Sequence, residues 1–207
     1  MLVRLRLAVP DRPGSLGRVA TALGAAAADI VRVDVLDSEA GRALDDVLVE
    51  VRDVAHLQRV REQLDAVPGV EVVGAQHPAP PSGGHAELEL VDHVVTRPEA
   101  AVQTLADGAP PAAGADWAVV LRYGAAGDPE GVVAASVGSL APEALDVTLP
   151  LRLAAVTIPA GAAAVVPLGT SRLALLVVRE GGLAFHRSEL WRLGQLGEIV
   201  GTVLTTS

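Results

Sequence analysis

The chain has 207 residues, is 50% hydrophobic but only 2% aromatic, and carries a formal net charge of −9. It is long enough for one large or two small domains, whose cores must be built from Val, Leu and Ala. The absence of Cys and Lys excludes disulfides, thiol nucleophiles, cysteine-held zinc or iron–sulfur clusters, Schiff bases and the lysine of a phosphate-binding loop, and the acidic balance opposes a nucleic-acid partner.

Residues 2–9 alternate, with Val3, Leu5, Leu7 and Val9 apolar and Arg4 and Arg6 between them, the period of a strand with one buried face. Asp11-Arg12-Pro13-Gly14-Ser15-Leu16 follows and opens a helix whose Leu16, Val19, Ala20, Leu23 and Ala27 share one face. Pro13 suits a first helical turn, and Gly14 lets a ligand approach the backbone. The helix start offers free amides and a positive dipole end to a carboxylate. Asp11 ahead of it suits an ammonium, so the stretch complements both halves of a zwitterion. Taken alone, the same Asp-Arg-Pro-Gly reads equally as helix entry with Asp11 as N-cap.

Residues 30–36 alternate again, a polar turn at 37–41 follows, and residues 44–51 place Val47, Val49 and Val51 on one side; together they predict a hairpin. A helix is predicted over 54–67, with Leu57, Val60, Leu64 and Val67 inward, stopped by Pro68-Gly69, and residues 70–73 close the unit. Strand-helix-strand-strand-helix-strand is the split βαβ, or ferredoxin-like, arrangement of the α+β class.

The Pro-, Gly- and Ser-rich residues 76–85 read as a linker between a domain at 1–75 and another at 86–207. In the second, a helix is predicted over 86–106, kinked or divided at Pro98. Residues 107–115 read as turn-rich, 117–123 and 132–137 as a strand pair joined by a loop at 124–131, and 151–157 as a short helix within an irregular stretch at 140–161. Strands at 162–167 and 172–179 precede a helix over 187–204. The run from Leu173 to Val178 is apolar on both faces and belongs in the middle of a sheet. The stripe of this last helix and Trp191 admit a dimer face but read first as an ordinary intramolecular core contact.

The first third resembles the ACT domain, a regulatory module of amino-acid metabolism. The likeness is carried by residues 9–16, the helix running to Ala28, and Ala28-Asp29-Ile30 opening the second strand. The resemblance implies a homodimer joined sheet to sheet, with amino-acid sites between the first loop of one copy and the second strand of the other. Asp11, Arg12, Pro13, Gly14, Ser15 and Leu16 then line one wall, and Asp29, Ile30 and Val31 the other. Asp29 stands where the family commonly has Asn, and an ionised Asp only accepts hydrogen bonds, so the site is more acidic than usual. The second domain resembles, more faintly, a GAF domain, a helix-flanked antiparallel sheet used for small-molecule sensing and dimerisation.

Nothing else in the chain forms a catalytic or metal motif. His56, His77, His85, His93 and His186 show no zinc spacing, and Ser15 is not in a nucleophile elbow. The expectation is a non-enzymatic regulatory protein without cofactor or metal, a cytoplasmic homodimer that binds an amino acid and has no nucleic-acid or membrane partner. The alternative is a structural dimerisation module that takes no ligand.

Overall fold

The alternation at the start of the chain gives β1 (Leu2–Pro10), whose Val3, Leu5, Leu7 and Val9 are fully buried. The computed structural model describes residues 1–77, 86–139 and 149–206, and the chain divides into two units, Met1–His77 and Pro78–Ser207. In the first unit, α1 (Ser15–Ala25) leads to a hairpin of β2 (Asp29–Glu39) and β3 (Arg42–Glu50), and α2 (Val54–Asp65) leads to β4 (Glu71–Gln76). The sheet order is β2-β3-β1-β4, antiparallel throughout. Val19, Ala22 and Leu23 of α1 and Val60 and Leu64 of α2 pack in one cluster with Val3, Leu5, Leu7, Val47 and Val49, so both helices cover the same face. This is the expected ferredoxin-like fold.

Local chemistry sets the element ends. Asp53 caps α2, its Oδ1 accepting from the His56 amide at 2.7 Å. The predicted turn at 37–41 contracts to two residues. Ala40 (φ 52°) and Gly41 (φ 77°) are both left-handed, as a tight hairpin turn requires, and β2 and β3 lengthen to meet them.

In the second unit, α3 (Ala86–Thr96) and α4 (Ala101–Ala113) are divided by a 3-10 turn at Pro98–Ala100, as Pro98 implies. The expected turn-rich segment at 107–115 is instead helical as far as Ala113. Pro110 and Pro111 fall in the final turn of α4, and Ala109 and Pro110 are buried there, which offsets the lost amide bonds. Gly114, left-handed, ends the helix.

Strands β5 (Trp117–Tyr123), β6 (Pro129–Ala135), β7 (Ala154–Ile158), β8 (Gly161–Pro167) and β9 (Leu173–Glu180) form an antiparallel sheet of order β6-β5-β9-β8-β7. β9 is central, as its two-faced apolarity predicts. β7 overturns the short helix predicted over 151–157. Val156, Thr157 and Ile158 are β-branched and favour a strand, and the tight turn into β8 is secured by Gly161, where a Cβ would lie 2.1 Å from the Arg179 carbonyl oxygen.

The helices α3, α4 and α5 (Arg187–Thr206) share one cluster with Ala118, Val120, Ala164, Val166, Leu175 and Val177. The other face holds Trp117, Val119, Leu121, Tyr123, Leu149 and Ile158. The Tyr123 hydroxyl is buried there without a hydrogen-bond partner, and burial pushes its pKa up to about 12. Trp191 is 65% exposed rather than in the core. The proposed linker beyond residue 77, including His85, and the start of the irregular stretch at 140–148 lie outside the described residues. Among the described residues, no helix is long and apolar enough to cross a membrane.

Candidate functional site

The β1–α1 loop is held by its own backbone. The Asp11 amide donates to the Gly41 carbonyl at 2.9 Å, that of Arg12 to Pro10 at 3.0 Å, and that of Ser15 to Arg12 at 3.2 Å. Gly14, not Asp11, occupies the N-cap position. Its φ of 88° is left-handed and it supplies no side-chain cap. Pro13 therefore precedes the cap instead of lying in the first helical turn. The Arg18 amide bonds back to the Gly14 carbonyl at 3.1 Å, while the start of α1 is left without a side-chain acceptor, the condition under which a helix N-terminus receives an anion.

Around this opening Asp11, Arg12, Pro13, Gly14 and Leu16 are exposed and Ser15 is buried. Ser15 Oγ accepts from Arg18 Nη2 at 3.2 Å. Asp11 Oδ2 accepts from Ser38 Oγ at 2.5 Å, which ties the carboxylate to the hairpin.

Asp29, Ile30 and Val31 form the start of β2 and are all exposed. Asp29 lies across from Glu50 and Ile30 across from Val49, while Val31 falls at a register shift between Ile30 and Arg32. Ser38, which anchors Asp11, lies at the far end of the same strand, roughly 30 Å from Asp29 at the usual rise per residue. Within one chain the two predicted walls do not meet. β2 is an edge strand, and Ile30, Val31, Val33 and Val35 along it are 40–60% exposed.

A residue that the sequence reading passed over lies beside the loop. Asp45 is 1% exposed, and neither of its carboxylate oxygens has a hydrogen-bond partner. Burial pushes its pKa above the ordinary carboxylate value, and the charges of Asp11 and Asp46 push the same way. Asp46 itself is satisfied, because Arg6 donates Nε to Oδ1 at 2.7 Å and Nη2 to Oδ2 at 2.8 Å. The signal was present in the sequence: carrying the inward set Val47, Val49 and Val51 two residues back lands on Asp45.

His56 Nδ1 accepts from the Arg52 amide at 3.0 Å while Nε2 meets the Ala26 carbonyl at 2.6 Å, joining the start of α2 to the end of α1. A groove of about 420 Å³ between α3 and α4 is bordered by Glu89, His93, Thr104 and Asp107. Among the described residues no three His, Cys, Asp or Glu side chains are placed to hold a metal ion.

Residues 1–74, about a third of the chain, match the family model of the ACT domain, which bears out the resemblance carried by the loop and the second strand. No curated protein matches the chain. Among solved structures, the chain is similar to the ACT domain from GTP pyrophosphokinase of Chlorobium tepidum, with 15% identity, a TM-score of 0.32, and coverage of 41% of this chain and 93% of the other. An unknown protein from Galdieria sulphuraria is similar at 20% identity and a TM-score of 0.30, covering 46% of this chain and 63% of that one. A formyltetrahydrofolate deformylase from Pseudomonas putida KT2440 follows at 16% identity and a TM-score of 0.30, covering 48% of this chain but only 38% of its own.

Proposed function

We propose that this chain is a non-catalytic, cytoplasmic regulatory sensor that binds a free amino acid between the ACT-like domains of two copies. The observation that carries the reading is the start of α1, left open by a left-handed Gly14 with no side-chain cap and flanked by an exposed carboxylate, Asp11. The open helix start takes the ligand carboxylate, and Asp11 takes its ammonium. Antiparallel pairing of two identical β2 edges sets the start of one strand beside the end of the other. Asp29, Ile30 and Val31 of one copy then approach Asp11 and Ser38 of its partner, which is how walls separated within one chain come together. Ligand in such a site favours the subunit arrangement that binds it better, coupling occupancy to geometry.

The second unit is proposed as a GAF-like module for sensing or dimerisation. Its support is a five-stranded antiparallel sheet with three helices packed on one face. A screen of the twenty free amino acids at millimolar concentration, read by thermal shift and light scattering, tests the whole reading. The expected result is a dimer stabilised by one or a few of them, with the response lost in Asp11→Ala and changed in Asp29→Asn. A second reading, a dimerisation module without ligand, is favoured by the exposed Ile30, Val31, Val33 and Val35 on an edge strand. A dimer that persists while no amino acid shifts its melting would select it.

A further inference from the structure

Two neighbouring aspartates on β3 meet opposite fates. Asp46 receives a bidentate arginine, whereas Asp45, equally removed from water, receives nothing. A buried carboxylate without donors is expensive, and packing does not require one there, since the same row of the sheet holds Leu7 on one side and Val35 on the other.

The register places Asp45 relative to the loop. Val9 and Ser38 flank Ala43 in one row across the sheet, and Leu7 and Val35 flank Asp45 in the next row on the same face. Rows two residues apart along a strand are separated by roughly 6–7 Å. Asp11, held by Ser38, thus stands one row from Asp45 on the side of the sheet where α1 packs. The row also leads outward: Leu7 is fully buried, Asp45 is 1% exposed, and Val35 is 60% exposed. One step across the sheet, from β3 to the edge strand β2, separates the unpaired carboxylate from solvent.

We propose that Asp45 is the cation-recognition residue of this site, receiving with Asp11 the ammonium of a ligand whose carboxylate sits at the start of α1. This rests on the sensor reading of the loop and requires of its ligand a free, protonated amine. Asp45 must be ionised to pair with the ammonium, so across the pH range in which its raised carboxyl titrates, ligand uptake releases a proton and affinity rises with pH. The charged groups bearing on it are Asp11 from the loop and Asp46 from its own strand, the latter paired with Arg6. Leu7 and Val35 on the flanking strands carry no charge, and the arginine of α1, Arg18, is bonded to Ser15.

The test is calorimetric titration of the full chain and of Asp45→Asn, with Glu62→Gln on the exposed face of α2 as control. The probes are the twenty amino acids, their N-acetyl derivatives and 1,4-diaminobutane, a diamine without a carboxylate. Expected is binding by an amino acid that weakens about tenfold or more on N-acetylation and in Asp45→Asn, as loss of a charge-assisted contact implies. Asp45→Asn should melt no lower than the parent and lose the pH dependence of binding, while Glu62→Gln changes neither. An amino acid that binds the parent and Asp45→Asn equally, or binds equally when acetylated, removes Asp45 from the site and leaves the sensor reading standing. Binding of 1,4-diaminobutane alone, lost in Asp45→Asn, upholds Asp45 and removes the amino acid. No binding by any probe overturns both.

Discussion

Asp45 lies directly across from Leu7 on the helix-covered face of the first sheet, an acidic side chain in the row where the pattern calls for an apolar one. Without ligand this position should cost stability. Asp45→Leu, which pairs two leucines across β1 and β3, is expected to raise stability by about 1–3 kcal/mol through loss of an unsatisfied buried group, and to abolish ligand response.

The pH dependence of that gain follows from the raised carboxyl. A folded-state pKa above the ordinary 3.8 means the folded chain holds its proton longer than the unfolded chain. The stability of the parent is therefore intact below that value and falls as pH rises through the folded value. The difference between Asp45→Leu and the parent should be smallest near pH 4 and grow toward neutrality, as urea unfolding across that range would show. A difference that shrinks with rising pH would contradict the assignment.

Gly14 and Gly17 separate the conformational task of the loop from its openness. Both have open space where a Cβ would go, but only Gly14 is left-handed. Gly14→Ala should destabilise by about 1–2 kcal/mol from backbone strain. Gly17→Ala, inside the first turn of α1, should gain up to about 1 kcal/mol of helix propensity. Equal effects from the two substitutions in denaturant unfolding would show that the φ of 88° is not what the loop depends on.

Where a periodic pattern meets a single demand, the sequence and the fold agree. Val3, Leu5, Leu7 and Val9 need only one buried face, and the hairpin and helices of the first unit follow the same logic. The candidate site is less legible because its parts obey different rules. Asp11 and Gly14 are visible as local turn chemistry, and Asp29 through resemblance alone. Asp45 is hidden by its neighbour: beside Asp46, it reads as a solvated acidic pair until the register assigns the two to opposite faces. In the second unit, residues 107–113 carry helix-breaking prolines that tertiary burial overrides. Residues 151–157 lack the context that makes them a strand, the pairing of β7 with β8.

Arg179 and Glu189 form the most buried ion pair among the described residues, with Nη2 to Oε1 at 2.6 Å. Arg179 also donates to the carbonyls of Gly114, Ala113 and Leu183, and its guanidinium lies 3.9 Å from the Phe185 ring centroid. One side chain thus ties the end of α4, β9 and the start of α5. Arg179→Met or Glu189→Ala should each cost about 3–5 kcal/mol, since either leaves a buried charge without its counter-charge. The double variant should cost less than the sum, and a thermodynamic cycle from urea unfolding measures the shortfall.

Gly201 packs α5 against the β8–β9 connection with no room for a side chain. A Cβ there would meet the Gly169 amide nitrogen at 2.4 Å and the Leu168 carbonyl carbon at 2.6 Å. Both are backbone atoms, so Gly201→Ala can be accommodated only by shifting the helix, and a loss of at least about 1–3 kcal/mol is expected. Gly194, on the same helix, is the control. Its Cβ would meet only the tip of the Leu153 side chain, Cδ2 at 2.9 Å, which can rotate away, and alanine there restores helix propensity. Gly194→Ala should melt within a few degrees of the parent while Gly201→Ala melts well below it. If the two melted alike, the close approach of α5 to Gly169 would not be what seats the helix.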